Sequence, residues 1–216
     1  MDTLIDGFRK FRATAFPNHK DRFRRLAIVG QNPRAAVIAC CDSRVDPQMI
    51  FSARPGDLFV IRNVANLVPP YAPSADYHGT SAALEFAVRQ LAVREVIVMG
   101  HTQCGGVRSL LERAADSGDF IGSWMSIASA VRDRVMAGNT VVTDTARATA
   151  ERETIRQSLT NLMTFPWIRD RVEAGDLRLH GCLFDVAAAE LLILDPVNGT
   201  FGAVADRAAA PASACG

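Results

Sequence analysis

Short runs of aliphatic and β-branched residues alternate along the chain with longer segments of helical periodicity. This alternation is typical of an α/β fold with a mostly parallel sheet, because each helix carries the chain back to the start of the next strand. The first three apolar runs are bounded by polar residues, glycine or proline, and we interpret them as strands. They cover residues 35–40, 58–62 and 95–100.

Helical spacing of apolar residues fills the segments between and after these strands. It predicts a crossover helix over 82–91, after a Gly-Thr-Ser sequence suited to a helix start. An amphipathic helix is predicted over 120–137. A longer helix is predicted over 145–172, with Pro166 as a kink or restart because proline cannot continue the hydrogen-bond ladder.

The C-terminal part of the chain returns to strand patterns. Segments 177–186 and 191–194 predict a strand pair with a short connection, which adds an antiparallel edge. The predicted fold class is therefore α/β, with about four parallel strands plus an antiparallel edge strand, flanking helices and a helical arm over 1–30. A length of 216 residues with 49% hydrophobic content favours a single domain over 1–216. The Ala-rich tail over 207–216 is predicted to be disordered.

Charge and composition argue against several classes of function. A formal net charge of +1 and a pI near 7.7 predict no nucleic-acid partner. No apolar run approaches the ~20 residues that span a bilayer, so no membrane contact is expected. The N-terminus lacks the uninterrupted apolar core of a secretion signal. Five cysteines in a chain of this length suit reduced thiols better than a disulfide framework, and we expect a cytoplasmic protein.

Soft metal ligands follow two of the predicted strands. Cys40 ends the first strand and begins the sequence Cys-Cys-Asp-Ser-Arg, whereas His101 follows the third strand, with Cys104 three positions later. Ligands of open α/β sheets bind beyond the carboxyl ends of the strands. Two thiolates and an imidazole suit Zn(II), and three protein ligands leave the fourth tetrahedral position for water, as in catalytic sites. We therefore expect one Zn(II) per chain.

The two ligand segments, with Arg-Asn-Val-Ala-Asn between them, resemble a β-class carbonic anhydrase over nearly the whole chain. The resemblance makes Cys40, His101 and Cys104 the zinc ligands and Asp42 with Arg44 the catalytic dyad. It implies a zinc lyase that reversibly hydrates carbon dioxide to bicarbonate and a proton by a zinc-bound hydroxide. Arg44 would fix the carboxylate of Asp42 through its planar fork.

The resemblance also implies a substrate pocket. In one subgroup of the family a glutamine and a hydrophobic wall line the pocket, and the wall comes from the partner subunit of a dimer. Gln31 matches the glutamine, and Phe59, Val64 and Phe86 match the wall. The subgroup commonly has tyrosine where this chain has Phe86, so one hydroxyl is missing. The substrate-binding positions predicted for this chain are Gln31, Phe59, Val64, Phe86 and Gly105.

Another subgroup binds bicarbonate at an inhibitory site through Trp, Arg and Tyr. The matching positions are Val37, Arg62 and Phe184, so two of the three side chains differ. We therefore expect the open, unregulated type of site. In the alternative type Asp42 occupies the fourth zinc position, and the sequence alone is compatible with that state as well.

Two other functions use the same residues. A hydrolase of carbonyl sulfide or carbon disulfide would keep the ligands and differ in pocket shape. A non-enzymatic zinc or thiol sensor would not need the Asp42 and Arg44 pair. The presence of Gln31 and of this pair argues against the sensor, pocket shape would decide between the two enzymes, and carbonic anhydrase is the favoured interpretation.

The remaining cysteines and the arm have simpler interpretations. Strand alternation predicts that Cys41 is a packed core thiol, and Cys182 is expected to be buried in a strand. The arm carries too much aromatic surface to lie in water, which favours a homodimer or an assembly of dimers. Its phenylalanines are Phe8, Phe11, Phe16 and Phe23.

Overall fold

A computed structural model of the chain describes residues 1–112 and 118–204. The tail predicted over 207–216 lies outside these residues. The strands of the described part are β1 (Ala35–Cys40), β2 (Leu58–Asn63), β3 (Glu95–His101), β4 (Arg178–Asp185), β5 (Glu190–Leu194) and β6 (Phe201–Ala203). They form one sheet in the order β2-β1-β3-β4-β5-β6.

The sheet confirms the predicted fold class. Strands β2, β1, β3 and β4 pair in parallel, and β5 and β6 continue the sheet with antiparallel pairing. One antiparallel edge strand was expected, and the structure has two. The second, β6, has three residues with a glycine in the middle, which is too short for an alternation of apolar and polar positions.

Helices cover both faces of the sheet. They are α1 (Asp2–Thr14), α2 (Phe16–Val29), α3 (Pro47–Ile50), α4 (Gly79–Glu85), α5 (Gly105–Glu112), α6 (Gly118–Met125), α7 (Ser129–Val135), α8 (Asp144–Leu162) and α9 (Pro166–Glu173). A 3₁₀ turn at Ser126–Ala128 divides the helix predicted over 120–137. The predicted restart is confirmed, because α9 begins at Pro166, where a missing N–H costs nothing.

Strand β1 is buried along its whole length and separates two apolar clusters. Ala36 and Ile38 face α8 and α9, whereas Val37 and Ala39 face the opposite layer. Cys40, the last residue of β1, joins a third cluster beneath α5. The candidate ligand Cys40 is therefore attached to a strand that is buried at every residue.

The N-terminal arm contrasts with this core. No residue of α1 or α2 is buried, and Phe8 is 59% exposed. Arg22 ties α2 to the body by donating to the carbonyl oxygen of Pro55 and to Asp57. None of the helices in the described part of the chain has the length and hydropathy that crossing a bilayer requires.

Candidate metal centre and active site

Neighbouring strands bring the candidate ligands together. β1 and β3 are adjacent and parallel, so Cys40 and the turn from His101 to Cys104 emerge at the same edge of the sheet. One ligand atom from each residue lies within 4.8 Å of the other two. All three residues are buried, although Cys40 and Cys104 are 64 positions apart in the chain.

The geometry of these atoms fits Zn(II). The sulfur atoms of Cys40 and Cys104 are 3.9 Å apart. Zinc–sulfur bonds of about 2.3 Å at a tetrahedral angle would place them about 3.8 Å apart. Nδ1 of His101 lies 2.9 Å from the carbonyl oxygen of Thr102. Because a carbonyl oxygen only accepts, Nδ1 carries the proton and Nε2 presents its lone pair, as metal-binding histidines do.

Nε2 of His101 is also a buried atom without a hydrogen-bond partner among the residues that the structure describes. A buried polar atom left in this way is costly, and binding a metal would satisfy it. The donor set, the spacing of the sulfur atoms and this nitrogen therefore agree on a site for Zn(II).

Backbone N–H groups favour the thiolate forms of both cysteines. The hydrogen bond from the Cys104 thiol lowers the pKa of Cys40, burial opposes this, and N–H groups of Asp42 and Ala65 lower the pKa further. The same contact with Cys40, together with burial, raises the pKa of Cys104. At Cys104 the amides at the start of α5 act in the opposite direction and lower the pKa.

Close packing sets these amides in place. Ala65 is fully buried and has a φ of +63°, in the left-handed region that costs a residue with a Cβ free energy. A Cβ on Gly106 would lie 2.8 Å from Cγ1 of Val64 and 3.0 Å from Cβ of Ala65. Only glycine therefore lets α5 approach this strained turn so closely.

Asp42 and Arg44 form a two-pronged ion pair beside the ligands. Nε of Arg44 donates to Oδ1 of Asp42 at 2.9 Å, and Nη2 donates to Oδ2 at 2.7 Å. These bonds hold the pKa of Asp42 well below its usual range, although burial opposes them. Oδ2 lies 3.9 Å from Nε2 of His101, so the ionised carboxylate faces the ligand atoms.

Arg62 holds the loop that carries this pair. Its Nε donates to the carbonyl oxygen of Cys40 at 3.0 Å, and its Nη2 donates to those of Asp42 and Val45, each at 2.7 Å. Hydrogen bonds from a charged group are stronger than neutral ones. One side chain on β2 thus fixes the backbone on both sides of Asp42.

The buried face of α8 holds the segment after β2 through Ser158 and Asn161 and the ligand turn through Glu151, which the sequence analysis missed. Ser158 bridges Asn66 and Val68, while Asn161 donates to the carbonyl oxygen of Val68. Glu151, one of the buried residues of the same helix, accepts the N–H of Cys104. Polar residues at helical spacing among the apolar ones of this segment were the available signal.

Comparison with known proteins agrees with this site. The family model for carbonic anhydrase matches residues 35–191. The chain is 38% identical over 210 residues to a carbonic anhydrase of Synechocystis sp., covering 96% of this chain and 76% of the relative. The solved structure of the β-carbonic anhydrase CcaA superposes with a TM-score of 0.87 at 38% identity, over 94% of this chain and 91% of the other. The chain belongs to the β-class carbonic anhydrase family.

As a β-class carbonic anhydrase, the enzyme reversibly hydrates carbon dioxide to bicarbonate and a proton. The family depends on zinc, and the Cys-His-Cys group is of the kind that binds it. A third match is to crystal structures of two tetrameric β-carbonic anhydrases from Sordaria macrospora. It has a TM-score of 0.76 and 26% identity, over 94% of this chain and 100% of the other.

The structure of this carbonic anhydrase divides the predicted pocket residues into two groups. Val64 packs against the start of α5, and Gly105 is exposed beside Cys104, with open space where a Cβ would lie. Gln31, Phe59 and Phe86 lie elsewhere. Val64 was expected with the partner's wall, but it lies beside its own chain's candidate ligands.

The second group lies toward the other end of the sheet. Gln31 precedes β1, and Phe59 pairs with Ala36, four residues before Cys40. At about 3.3 Å per residue, that is roughly 13 Å along the strand from the site edge. The ring of Phe86, which is 44% exposed, stacks on Phe59 with centroids 5.9 Å apart.

The prediction for Cys41 was wrong. This residue is exposed rather than packed in the core. Strand alternation does not extend to it, because β1 ends at Cys40 and the chain turns there into the loop of Asp42. Cys182 is buried in β4 as predicted, and burial raises the pKa of its thiol to about 12.

Proposed function

We propose that the enzyme binds one Zn(II) per chain through Cys40, His101 and Cys104, and that Asp42 and Arg44 form its catalytic dyad. The observation that carries this proposal is the ionised carboxylate of Asp42, which faces three buried ligand atoms and has both oxygens fixed. When bound, zinc lowers the pKa of a water molecule and so supplies a nucleophile near neutral pH.

The chain's own residues orient this reaction. Oδ2 of Asp42 accepts a hydrogen bond from the water in front of the ligands, so that the oxygen directs a lone pair at carbon dioxide. Arg44 keeps Asp42 ionised and is itself anchored, since Nη2 donates to the carbonyl oxygen of Gln103 at 3.0 Å. Gly105 leaves space in front of the ligands for a small substrate.

The open, unregulated type of site is part of this proposal. The bonds from Arg44 to both oxygens of Asp42 support it, because the carboxylate would have to give them up to occupy the fourth zinc position. At the positions of the inhibitory bicarbonate site, Val37 is fully buried and Arg62 already donates to three carbonyl groups. These contacts engage Nε and Nη2 of Arg62 with the protein backbone rather than with an anion.

We further propose a homodimer, or an assembly of dimers, in which Gln31, Phe59 and Phe86 complete the partner's substrate pocket. Their distance from the ligands within one chain supports this, and so does the exposed aromatic surface of the arm. The two matched Sordaria macrospora enzymes are described as tetrameric, which is consistent with assembly. Light scattering at micromolar concentration tests the proposal, and a monomeric mass would contradict it.

A cytoplasmic location remains a prediction of ours. The free cysteines of the described residues, Cys40, Cys41, Cys104 and Cys182, support a reducing compartment. Cell fractionation against periplasmic and cytoplasmic marker enzymes tests it, and recovery with the periplasmic marker would overturn it.

The test of the mechanism is stopped-flow hydration of carbon dioxide by zinc-quantified protein from pH 6.5 to 9. We expect activity near neutral pH, a loss of about 10²-fold or more in Asp42→Ala, and unchanged zinc content. Asp46→Asn is the matched control, since this neighbouring carboxylate caps α3 and does not face the ligands. Full activity of Asp42→Ala would refute the dyad, and activity only above about pH 8 would refute the open site.

A further inference from the structure

Glu151 is the only carboxylate in the buried core of the described residues, and its side chain is directed at the metal centre. The residue is 3% exposed. Its Oε1 accepts the backbone N–H of Cys104 at 3.1 Å, and the N–H of Gln103 interacts with the same carboxylate. It lies on the buried face of α8.

The turn that Glu151 contacts is strained. Gln103 has a φ of +60°, which is unfavourable for a residue with a Cβ. Such a conformation persists only where the surroundings impose it. The carboxylate supplies that constraint, because it accepts the N–H of Cys104, the residue after Gln103, and interacts with the N–H of Gln103 itself.

Two parts of the site depend on this turn. It sets the position of Cys104 relative to Cys40, whose sulfur atoms are at the spacing of tetrahedral zinc ligands. Its carbonyl oxygen at Gln103 also anchors Arg44. A relaxed turn would therefore disturb the ligand set and the dyad together.

We propose that Glu151 is a positioning residue that holds the turn in its strained conformation and so prepares Cys104 and Arg44 for zinc binding and catalysis. The proposal rests on the zinc site and dyad proposed above. What matters in it is an acceptor oxygen at this position, not the negative charge as such. The proposal therefore predicts different results for substitutions that separate the two.

Three variants and one control test this. Glu151→Gln keeps an oxygen in place and loses the charge, Glu151→Asp keeps the charge and withdraws the oxygen, and Glu151→Met fills the space without a good acceptor. Ser158→Ala is the control, since it removes buried hydrogen bonds of the same helix away from the turn. The readouts are the zinc dissociation constant from chelator competition, the thiolate absorption of the Co(II)-substituted protein, and the thermal midpoint of the metal-free protein.

Loss of an acceptor behind a metal ligand typically weakens metal binding by about 10- to 100-fold. We expect losses in this range for Glu151→Met and Glu151→Asp, with altered Co(II) absorption. Glu151→Gln is expected to stay within about threefold of the parent, and Ser158→Ala within about twofold even if its thermal midpoint falls. If Glu151→Met does not fold, Glu151→Asp and Glu151→Gln still separate position from charge.

Adding Gln103→Gly gives a further test, because glycine adopts a positive φ without steric cost. In the Glu151→Asp background it should restore at least about threefold of the lost zinc affinity, and in the parent it should add little. Zinc binding by Glu151→Asp within twofold of the parent would overturn the inference. An equal loss in Glu151→Gln or in Ser158→Ala would also overturn it, because charge or general packing would then be the cause. A zinc-loaded parent without hydration activity would refute the proposed mechanism alone, since zinc affinity is measured independently.

Discussion

The two ends of the central sheet differ in how completely one chain builds them. At the carboxyl ends of β1 and β3, Cys40, His101 and Cys104 are buried, and the loops that carry them are held by charged side chains and by α8. Toward the amino ends, Gln31 and Phe86 are exposed and contact none of the candidate ligands. The candidate ligand set is thus complete within one chain, whereas the pocket that we propose draws residues from a second chain.

The largest effect is expected from removing a zinc ligand at the carboxyl ends of β1 and β3. His101→Ala takes away the only nitrogen donor of the ligand set, so zinc should be lost and hydration should fall by about 10³-fold or more. Zinc analysis and stopped-flow kinetics measure this. His180→Ala, on the neighbouring strand β4, is the control and should retain zinc. Full zinc content in His101→Ala would show that the ligand set is wrong.

The second prediction tests whether Gln31 of one chain contributes to the active site of its partner. A Gln31→Ala chain keeps its three zinc ligands but cannot supply Gln31 to the pocket of its partner. A His101→Ala chain has an incomplete ligand set but still supplies Gln31 to its partner. When equal amounts of the two variants exchange subunits at random, half of the dimers are hybrids. Each hybrid has one intact site, made of the ligands of the Gln31→Ala chain and Gln31 of the His101→Ala chain. About a quarter of the parental activity should therefore return. Activity equal to the mean of the separate variants would mean that Gln31 serves no partner site.

A smaller effect is expected from loosening the dyad. Arg44→Lys replaces a two-pronged contact by a point charge, so the pKa of Asp42 should rise from its lowered value toward its ordinary one near 4. The hydration rate near neutral pH should fall by roughly tenfold because the carboxylate of Asp42 is less well oriented. The acid limb of the pH–rate profile should shift to higher pH. Arg108→Lys, in an exposed pair with Glu112 on α5, is the control.

The same variant has a stability signature. Because Arg44 lowers the folded-state pKa of Asp42, the pair stabilises the fold fully above the ordinary pKa near 4, and this contribution is lost as pH falls further. The difference in unfolding free energy between parent and variant should be constant above about pH 5 and should shrink below about pH 4. A difference that grows on acidification would contradict this assignment.

The smallest effect is expected from a substitution toward the amino ends of the strands, where Phe86 is exposed. Phe86→Tyr places a hydroxyl on a ring that is 44% exposed, so the free energy of unfolding should change by less than about 0.5 kcal/mol. Zinc content should not change, and kcat/KM should stay within about threefold. Denaturant titration and stopped-flow kinetics measure both. A loss of zinc in this variant would show that the position of Phe86 is coupled to the metal centre.

The sequence predicted the parts of the site that depend on residue type and strand order. Cys40, His101 and Cys104 follow strands that a parallel sheet places side by side, and the two-residue spacing of Asp42 and Arg44 suits a direct ion pair. Such features are local, or they follow from topology.

The rest depended on tertiary contacts. Arg62 donates to carbonyl groups of another loop, and Glu151 accepts from a turn 47 residues away in the chain. The contact of Arg62 leaves no periodic signal, and the spacing of polar residues on α8 does not say which turn Glu151 contacts. The left-handed conformation of Ala65 is not implied by alanine. Cys41 was assigned to the core because strand alternation was continued one residue past the end of β1, where the chain already turns into the loop.

The separation of 64 positions between Cys40 and Cys104 also has a kinetic consequence. The two thiols lie on segments that the parallel pairing of β1 and β3 brings together, a non-local contact that must offset loop-closure entropy. We predict that zinc binds after this pairing and stabilises the folded state by mass action. Zinc shortage should shorten the lifetime of the folded chain while leaving the rate of its formation unchanged.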